Sequence, residues 1–237
     1  MRFRDKGIIL SKKLYAEKSY ILRVFTENHG IYSALLYGKK NANILHEGSL
    51  IDVIWTARLE EHLGVFKCDL IKSFLERIYF DQSKILALRS ALNLTKIAFK
   101  EREPQIKFFH ILHEFLNIIT KIQIYPIDYI FFEINLLEAA GYGIDTTKCV
   151  VTGKKENLKF LSPKSGKAVC REIGQEYSKK LFLLPECLIY PPQKKQISLQ
   201  ELLQSLKILS YFINRYVFPN VDSCSYRKLL FNSFLSQ

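Results

Sequence analysis

No stretch of this chain is apolar for long enough to cross a bilayer. Its most apolar helical segment, Tyr129 to Ala140, is interrupted by Glu133, Asn135 and Glu138, and falls short of the roughly 20 apolar residues that a spanning helix needs. The charged start, Met1 to Lys6, leads into an apolar run, Gly7 to Leu10, too short for a secretory signal. A cytoplasmic location is therefore expected. Cysteine is sparse: five residues, an odd number without regular spacing, argue against a disulfide framework and fit a reducing compartment. There is no repeat at solenoid spacing and no polar low-complexity tract. Signatures of catalysis are missing as well. Gly141-Tyr142-Gly143 follows a helical pattern and lacks the later glycine and the Lys-Ser/Thr of phosphate-cradling loops. No G-x-S-x-G elbow or H-E-x-x-H pair occurs, and His110-Ile111-Leu112-His113-Glu114 has the wrong order for the latter. The reading is of a non-enzyme without cofactor or metal.

What is present is apolar material and positive charge. With 237 residues, 48% of them hydrophobic and 13% aromatic, the chain has enough to bury a sizeable core and too many aromatics for disorder. The net charge of +12 is uneven: +4 over residues 1–78, −1 over 79–146 and +9 over 147–237. Such asymmetry suits a polyanion, because Lys and Arg side chains that neutralise phosphates release counterions. Lys outnumbers Arg, and Ile, Asn, Phe and Tyr are frequent, so part of the excess is a compositional habit.

Residues 1–78 alternate like short strands. Gly7 to Leu10, Ser19 to Phe25, Ile31 to Tyr37, Ser49 to Ala57 and Val65 to Ile71 are separated by turn residues such as Glu27-Asn28-His29-Gly30. About five short strands in so little chain suit a small closed barrel such as an OB-fold, with an SH3-like barrel as the alternative. Near Asp81 the period changes to that of a helix, with Ile85, Leu88 and Leu92 on one face. Pro104 and Pro126 stand where further helices begin, and Gly141 stands where the second of these stops. Ser198-Leu199-Gln200-Glu201 has capping-box spacing, and a last helix is expected from Tyr226 to Leu235. Between the helices, Asp145 to Gly174 carries two turns, Thr152-Gly153-Lys154-Lys155 and Ser162-Pro163-Lys164-Ser165-Gly166, and reads as an inserted hairpin. Six lysines, Lys148, Lys154, Lys155, Lys159, Lys164 and Lys167, make it an electrostatic contact surface. The expected fold is α+β, with an OB barrel at 1–78, a helical domain at 79–146 and 175–237, and the hairpin insert at 147–174.

Two groups of reactive side chains remain. Glu60, Glu61 and His62 form a dense acid and imidazole cluster, but in a predicted loop without a nucleophile, where a solvated turn is the ordinary reading. Cys149 and Cys170 lie at the edges of the hairpin, where a zinc ribbon places its knuckles. The positions that would complete C-x-x-C pairs are Thr152 and Ile173, which supply no thiolate.

The order of a small barrel with Val24-Phe25-Thr26-Glu27, Gly30 and Gly38-Lys39-Lys40, then the helix Phe132 to Ala140 ending in Gly141-Tyr142-Gly143, then Cys149 and the Ser162 to Gly166 turn before Cys170, resembles the RecO family of recombination mediators. The resemblance spans nearly the whole chain. It implies an N-terminal OB-fold, a helical domain and a zinc-ribbon-like insert that is degenerate here. It also implies binding of single- and double-stranded DNA, annealing of complementary strands, contact with the acidic tail of single-strand-binding protein (SSB), and loading of RecA together with RecR. For the barrel, Arg2, Arg4, Lys6, Arg23, Lys39, Lys40 and Arg58 would contact phosphates, Lys39 and Lys40 foremost, with Tyr37 and Trp55 as stacking platforms unless buried in the barrel core. The helix start at Ile127-Asp128-Tyr129-Ile130 lacks a basic pair for the acidic tail. An RNA-binding or ribosome-associated module is the competing reading.

Overall fold

A computed structural model describes residues 1–38, 44–59, 61–189, 197–217 and 225–235. The chain divides into two compact units: Met1–Ile124 with Asp222–Gln237, and Tyr125–Val221. The class is α+β, and no helix among the described residues is long and apolar enough to cross a membrane.

In the first unit β1 (Arg2–Ala16), β2 (Ser19–Thr26), β3 (Gly30–Tyr37), β4 (Leu50–Thr56) and β5 (Val65–Lys72) close into a barrel of order β1-β2-β3-β5-β4. All neighbours are antiparallel except β3 and β5, which meet in parallel at Leu35 and Val65. This is the OB-fold arrangement. The interior is packed by Ile9, Leu22, Val24, Leu36, Ile51, Val53 and Trp55, among others. β1 is longer than the run from Gly7 to Leu10 suggested, at both ends. Before Gly7 the alternation is disguised by an inward carboxylate: Asp5 is buried and accepts hydrogen bonds from the amides of Lys6 and Asn28, the Asn28 side chain and the His29 ring, all at 2.8–2.9 Å. After Leu10, residues Ser11 to Ala16 pair with β2 alone, so no buried face imposes a period of two.

Helix α1 (Gln82–Ala98) starts at Asp81, whose side chain accepts from the Lys84 amide at 3.1 Å, and α2 (Ile106–Ile119) follows. Lys84 is buried because its ammonium satisfies the carbonyls of Lys121 and Ile122, at 2.7 and 3.1 Å, just beyond the end of α2. Phe25, Phe99, Phe108 and Phe109 interlock where the barrel meets these helices, with ring centroids 4.9–6.4 Å apart. α3 (Pro126–Ala139) opens the second unit, with Asp128 accepting from the Tyr125 amide at 3.0 Å and Gly141 in the left-handed region just after its end. The insert forms β6 (Leu158–Leu161) and β7 (Ala168–Cys170), and β8 (Phe182–Leu183) adds to the free edge of β6. α4 (Leu199–Phe212) starts with the expected capping box between Ser198 and Glu201, and runs into a π-helical turn, Ile213–Val217. α5 (Ser225–Leu235) belongs to the first unit, where Arg89 of α1 lies over the Tyr226 ring at 5.5 Å.

Candidate nucleic-acid interface

Along β1, Arg2, Arg4 and Lys6 point outward while Phe3 and Asp5 point inward, so three cations stand in a row on one strand. The register continues the face across the sheet. Arg4 pairs with Ile54 and Lys6 with Asp52 on β4, and Ile54 in turn pairs with Lys67 on β5. Lys67 is therefore a fourth outward cation, which a search for basic runs overlooks because it stands alone in the sequence. Two carboxylates share the face. Asp52 accepts from the Arg4 guanidinium at 3.0–3.1 Å and is held below the usual carboxylate range by that hydrogen bond, and Asp69 lies opposite Asp52. Arg2, Lys6 and Lys67 keep exposed charges.

The other barrel positions fall into different environments. Arg23 on β2 is half-buried, with its Nε 3.6 Å from Glu101, and Ser33 beside it donates to the same carboxylate at 2.8 Å. That pair ties the sheet to the segment between α1 and α2. Arg58 is exposed beyond the end of β4. Tyr37 is 58% exposed at the end of β3, and Tyr15, on the extended arm of β1, is 64% exposed. Both offer an open ring on the same β1-β2-β3 side of the barrel, flanked by exposed Lys13 and Lys18. Trp55 is no platform: it is 2% exposed, its ring lies 5.5 Å from that of Phe3 and 5.1 Å from that of Tyr32, and its Nε1 donates to the Leu63 carbonyl. Inward alternation on β4 decides this, since Ile51, Val53 and Trp55 all face the core. Lys39 and Lys40 lie outside the described residues.

The insert lysines are exposed but not gathered at one place. Lys155 shares a cavity with Lys159 and Arg171, Lys164 lines another, and Lys167 and Lys148 stand near the Asp145 carboxylate. Lys154 lies near Glu172. Cys149 and Cys170 do meet. Both are buried, and the Cys170 amide donates to the Cys149 sulfur at 3.3 Å. The Thr152 hydroxyl lies 3.8 Å from the Cys170 sulfur, in the neighbourhood a further ligand would occupy. Burial raises the Cys149 thiol, but hydrogen bonds from the Thr152 side chain and from the amides of Cys170, Thr152 and Val151 outweigh it and bring it down to about 6; Cys170 is raised. Two thiols with Thr152 and Ile173 in the complementary positions do not fit a zinc ribbon, which needs four ligands.

The remaining reactive groups are dispersed. Glu61 and His62 are exposed at a turn, and Glu60 lies outside the described residues. His110 is exposed and 3.2 Å from Glu27, whereas His113 turns toward Asn117 and Phe74 and is held below its ordinary range by burial.

Family models described as "Recombination protein O N terminal" and "Recombination protein O C terminal" match residues 1–74 and 79–223. A protein of Rickettsia bellii (strain OSU 85-389) named "DNA repair protein RecO" is 42% identical over 222 residues, covering 93% of this chain and 91% of its own length. A namesake from Rickettsia typhi (strain ATCC VR-144 / Wilmington) is 41% identical over 230 residues, 96% of each chain. One from Rickettsia canadensis (strain McKiel) is 40% identical over 222 residues, covering 93% of this chain and 91% of its own.

Proposed function

This chain belongs to the RecO family of DNA repair proteins, and from that premise we propose that it is a non-enzymatic recombination mediator acting in the cytoplasm. It binds single- and double-stranded DNA, pairs complementary strands and, with RecR, places RecA on strands coated by SSB. The observation that carries the DNA-contact part is the outer face of the barrel. Arg2, Arg4, Lys6 and Lys67 stand on adjoining strands of an OB-fold, with Asp52 and Asp69 as the carboxylates on the same face, and exposed Tyr15 and Tyr37 lie on the same barrel. A basic groove with aromatic platforms is how such barrels hold a strand without reading its sequence. Arg58 is a further contact, Arg23 adds to it if Glu101 is displaced, and Lys39 and Lys40 are kept as phosphate contacts on the family pattern alone.

The mechanism is electrostatic. Two strands held against one positive surface repel each other less, so their bases meet and pair. The insert lysines Lys154, Lys155, Lys164 and Lys167 supply charge for the second strand.

The test is fluorescence anisotropy with labelled single-stranded DNA at two salt concentrations, with unlabelled RNA as competitor. DNA is bound, the affinity falls steeply with salt, and DNA competes better than RNA. A Lys39→Glu, Lys40→Glu double variant, and separately Arg2→Glu with Lys6→Glu, anneal complementary strands more slowly. Annealing at the unaltered rate in both would refute the barrel contact, and preference for RNA would favour the ribosome-associated reading.

A further inference from the structure

The second unit contains a cleft whose chemistry repeats that of the barrel face with other residues. It is a cavity of about 490 Å³ lined by Lys164, Tyr177, Lys180, Tyr211 and Arg215, with no carboxylate in its wall among the described residues. Three separate elements bring these side chains together. Lys164 comes from the turn between β6 and β7, closed by hydrogen bonds between Ser162 and Lys167 and between Gly166 and Ser162 at 2.9–3.0 Å. Tyr177 and Lys180 come from the segment leading into β8, where Ser178–Lys180 makes one tight turn. Tyr211 and Arg215 come from the end of α4 and the π-helical turn that follows it.

The π turn matters to the geometry. Extra residues of this kind within helices are frequent at functional sites because they re-aim a side chain. Here the Arg215 guanidinium donates to the Tyr211 hydroxyl at 2.7 Å and lies 5.7 Å from that ring and 5.5 Å from the ring of Tyr216. Tyr211 is itself held edge-on by Phe182, with centroids 5.2 Å apart. The guanidinium is oriented by the Tyr211 hydroxyl and keeps donors to spare, since it carries five. Tyr177 is 54% exposed, and Lys164 and Lys180 are exposed; among the described residues none of the three cations forms an ion pair with a carboxylate.

A wall whose three cations face no carboxylate among the described residues selects an anion, and two tyrosine rings beside them select a planar group attached to it. A nucleotide within a strand has both. We propose that this cleft is a second strand-binding site, at which Lys164, Lys180 and Arg215 hold successive phosphates of single-stranded DNA while a base stacks on Tyr177 or Tyr211. This rests on the DNA-binding function proposed above and locates one place where the second strand is held. It separates Lys164 from Lys154 and Lys155, and adds four residues that are scattered through the sequence.

The experiment uses the full chain and an oligonucleotide carrying 5-iodouracil, cross-linked by light and mapped by mass spectrometry. Cross-links at Tyr177 or Tyr211 are expected. In parallel, a Lys180→Gln, Arg215→Gln double variant should lower the slope of log affinity against log salt by about 1.4, two phosphate contacts at ~0.7 each for a single strand. Tyr177→Leu, at a position 54% exposed, should weaken binding by about fivefold or more, the loss of one stacked base, with circular dichroism unchanged. If the protein binds DNA but neither the slope nor the cross-links involve this cleft, the second site is refuted and the barrel contact stands. If a polyglutamate peptide, and not DNA, loses affinity in the double variant, the cleft takes acidic protein and the inference is overturned. If the unaltered protein binds no DNA at all, the function proposed above fails first.

Discussion

Trp55 and Tyr37 show how little residue type says about role. Both are aromatic, both lie on barrel strands, and position along the alternation separates them: Trp55 is 2% exposed and Tyr37 58%. Trp55→Ala should therefore cost about 3–5 kcal/mol of stability, the usual range for a buried Trp, seen in urea unfolding. Tyr37→Ala should leave unfolding within about 0.5 kcal/mol while weakening single-strand binding. The opposite pattern would mean that the barrel is turned inside out relative to this assignment. Cysteines divide in the same way. Burial, helped by Asp69 and Asp52, pushes the Cys68 thiol up to about 12, while the hydrogen bonds around Cys149 bring it down to about 6. The first thiolate absorbance at 240 nm should accordingly appear near pH 6 and vanish in Cys149→Ser. A depressed thiol stabilises the fold fully above the unfolded value, about 8.5, and loses that contribution as the pH falls through 6. Stability of the unaltered protein should thus rise between pH 6 and about 8.5 more steeply than that of Cys149→Ser, and equal slopes would contradict the shift.

At the scale of elements, the turn between β2 and β3 does more than reverse the chain. Gly30 has φ +81°, and a Cβ there would sit on the backbone of Glu103. Ile31 bridges to Glu101 in parallel, and the Arg102 amide donates to the Ile31 carbonyl at 2.9 Å. The segment between α1 and α2 thus lies against the start of β3, where Glu101 also meets Arg23 and Ser33. Gly30→Ala introduces both a left-handed alanine and a steric overlap, and should cost about 1–3 kcal/mol in thermal or chemical unfolding. Gly141→Ala, also at positive φ but with open space around it, should cost less, because only the backbone strain applies. Equal costs would show that the contact with Glu103 contributes nothing.

For the whole molecule, charge is the property that matters for binding. The net +12 is carried mainly by the two ends of the chain, and the fold turns it into an outward row on the barrel and separate lysine groups in the second unit. If four phosphates are neutralised, raising salt from 50 to 200 mM should weaken single-strand binding by roughly fiftyfold, at ~0.7 per phosphate. The affinity should be read by anisotropy and the fold checked by circular dichroism at both salts. A loss below about threefold with the fold intact would mean that fewer than two phosphates are held, and the excess of lysine would then be a trait of composition.

The barrel, the helical segments, the hairpin and the family were all legible in the sequence, because each leaves a local mark: alternation with period two, apolar spacing near 3.6, prolines at helix starts, Ser198 with Glu201, and a helix ending in Gly-Tyr-Gly. Two kinds of feature were not. Asp5 and Lys84 are buried polar residues whose partners, Asn28 and His29 or the carbonyls of Lys121 and Ile122, are supplied from other elements, so no local pattern marks them as inward. The interface residues Lys67, Tyr177 and Arg215 stand singly among neighbours of other kinds, and Lys180 belongs only to the short pair Lys179-Lys180. A phosphate contact is defined by distance in space: the barrel register brings Lys67 beside the β1 cations, and the packing of three elements within the second unit brings Tyr177, Lys180 and Arg215 to one cleft.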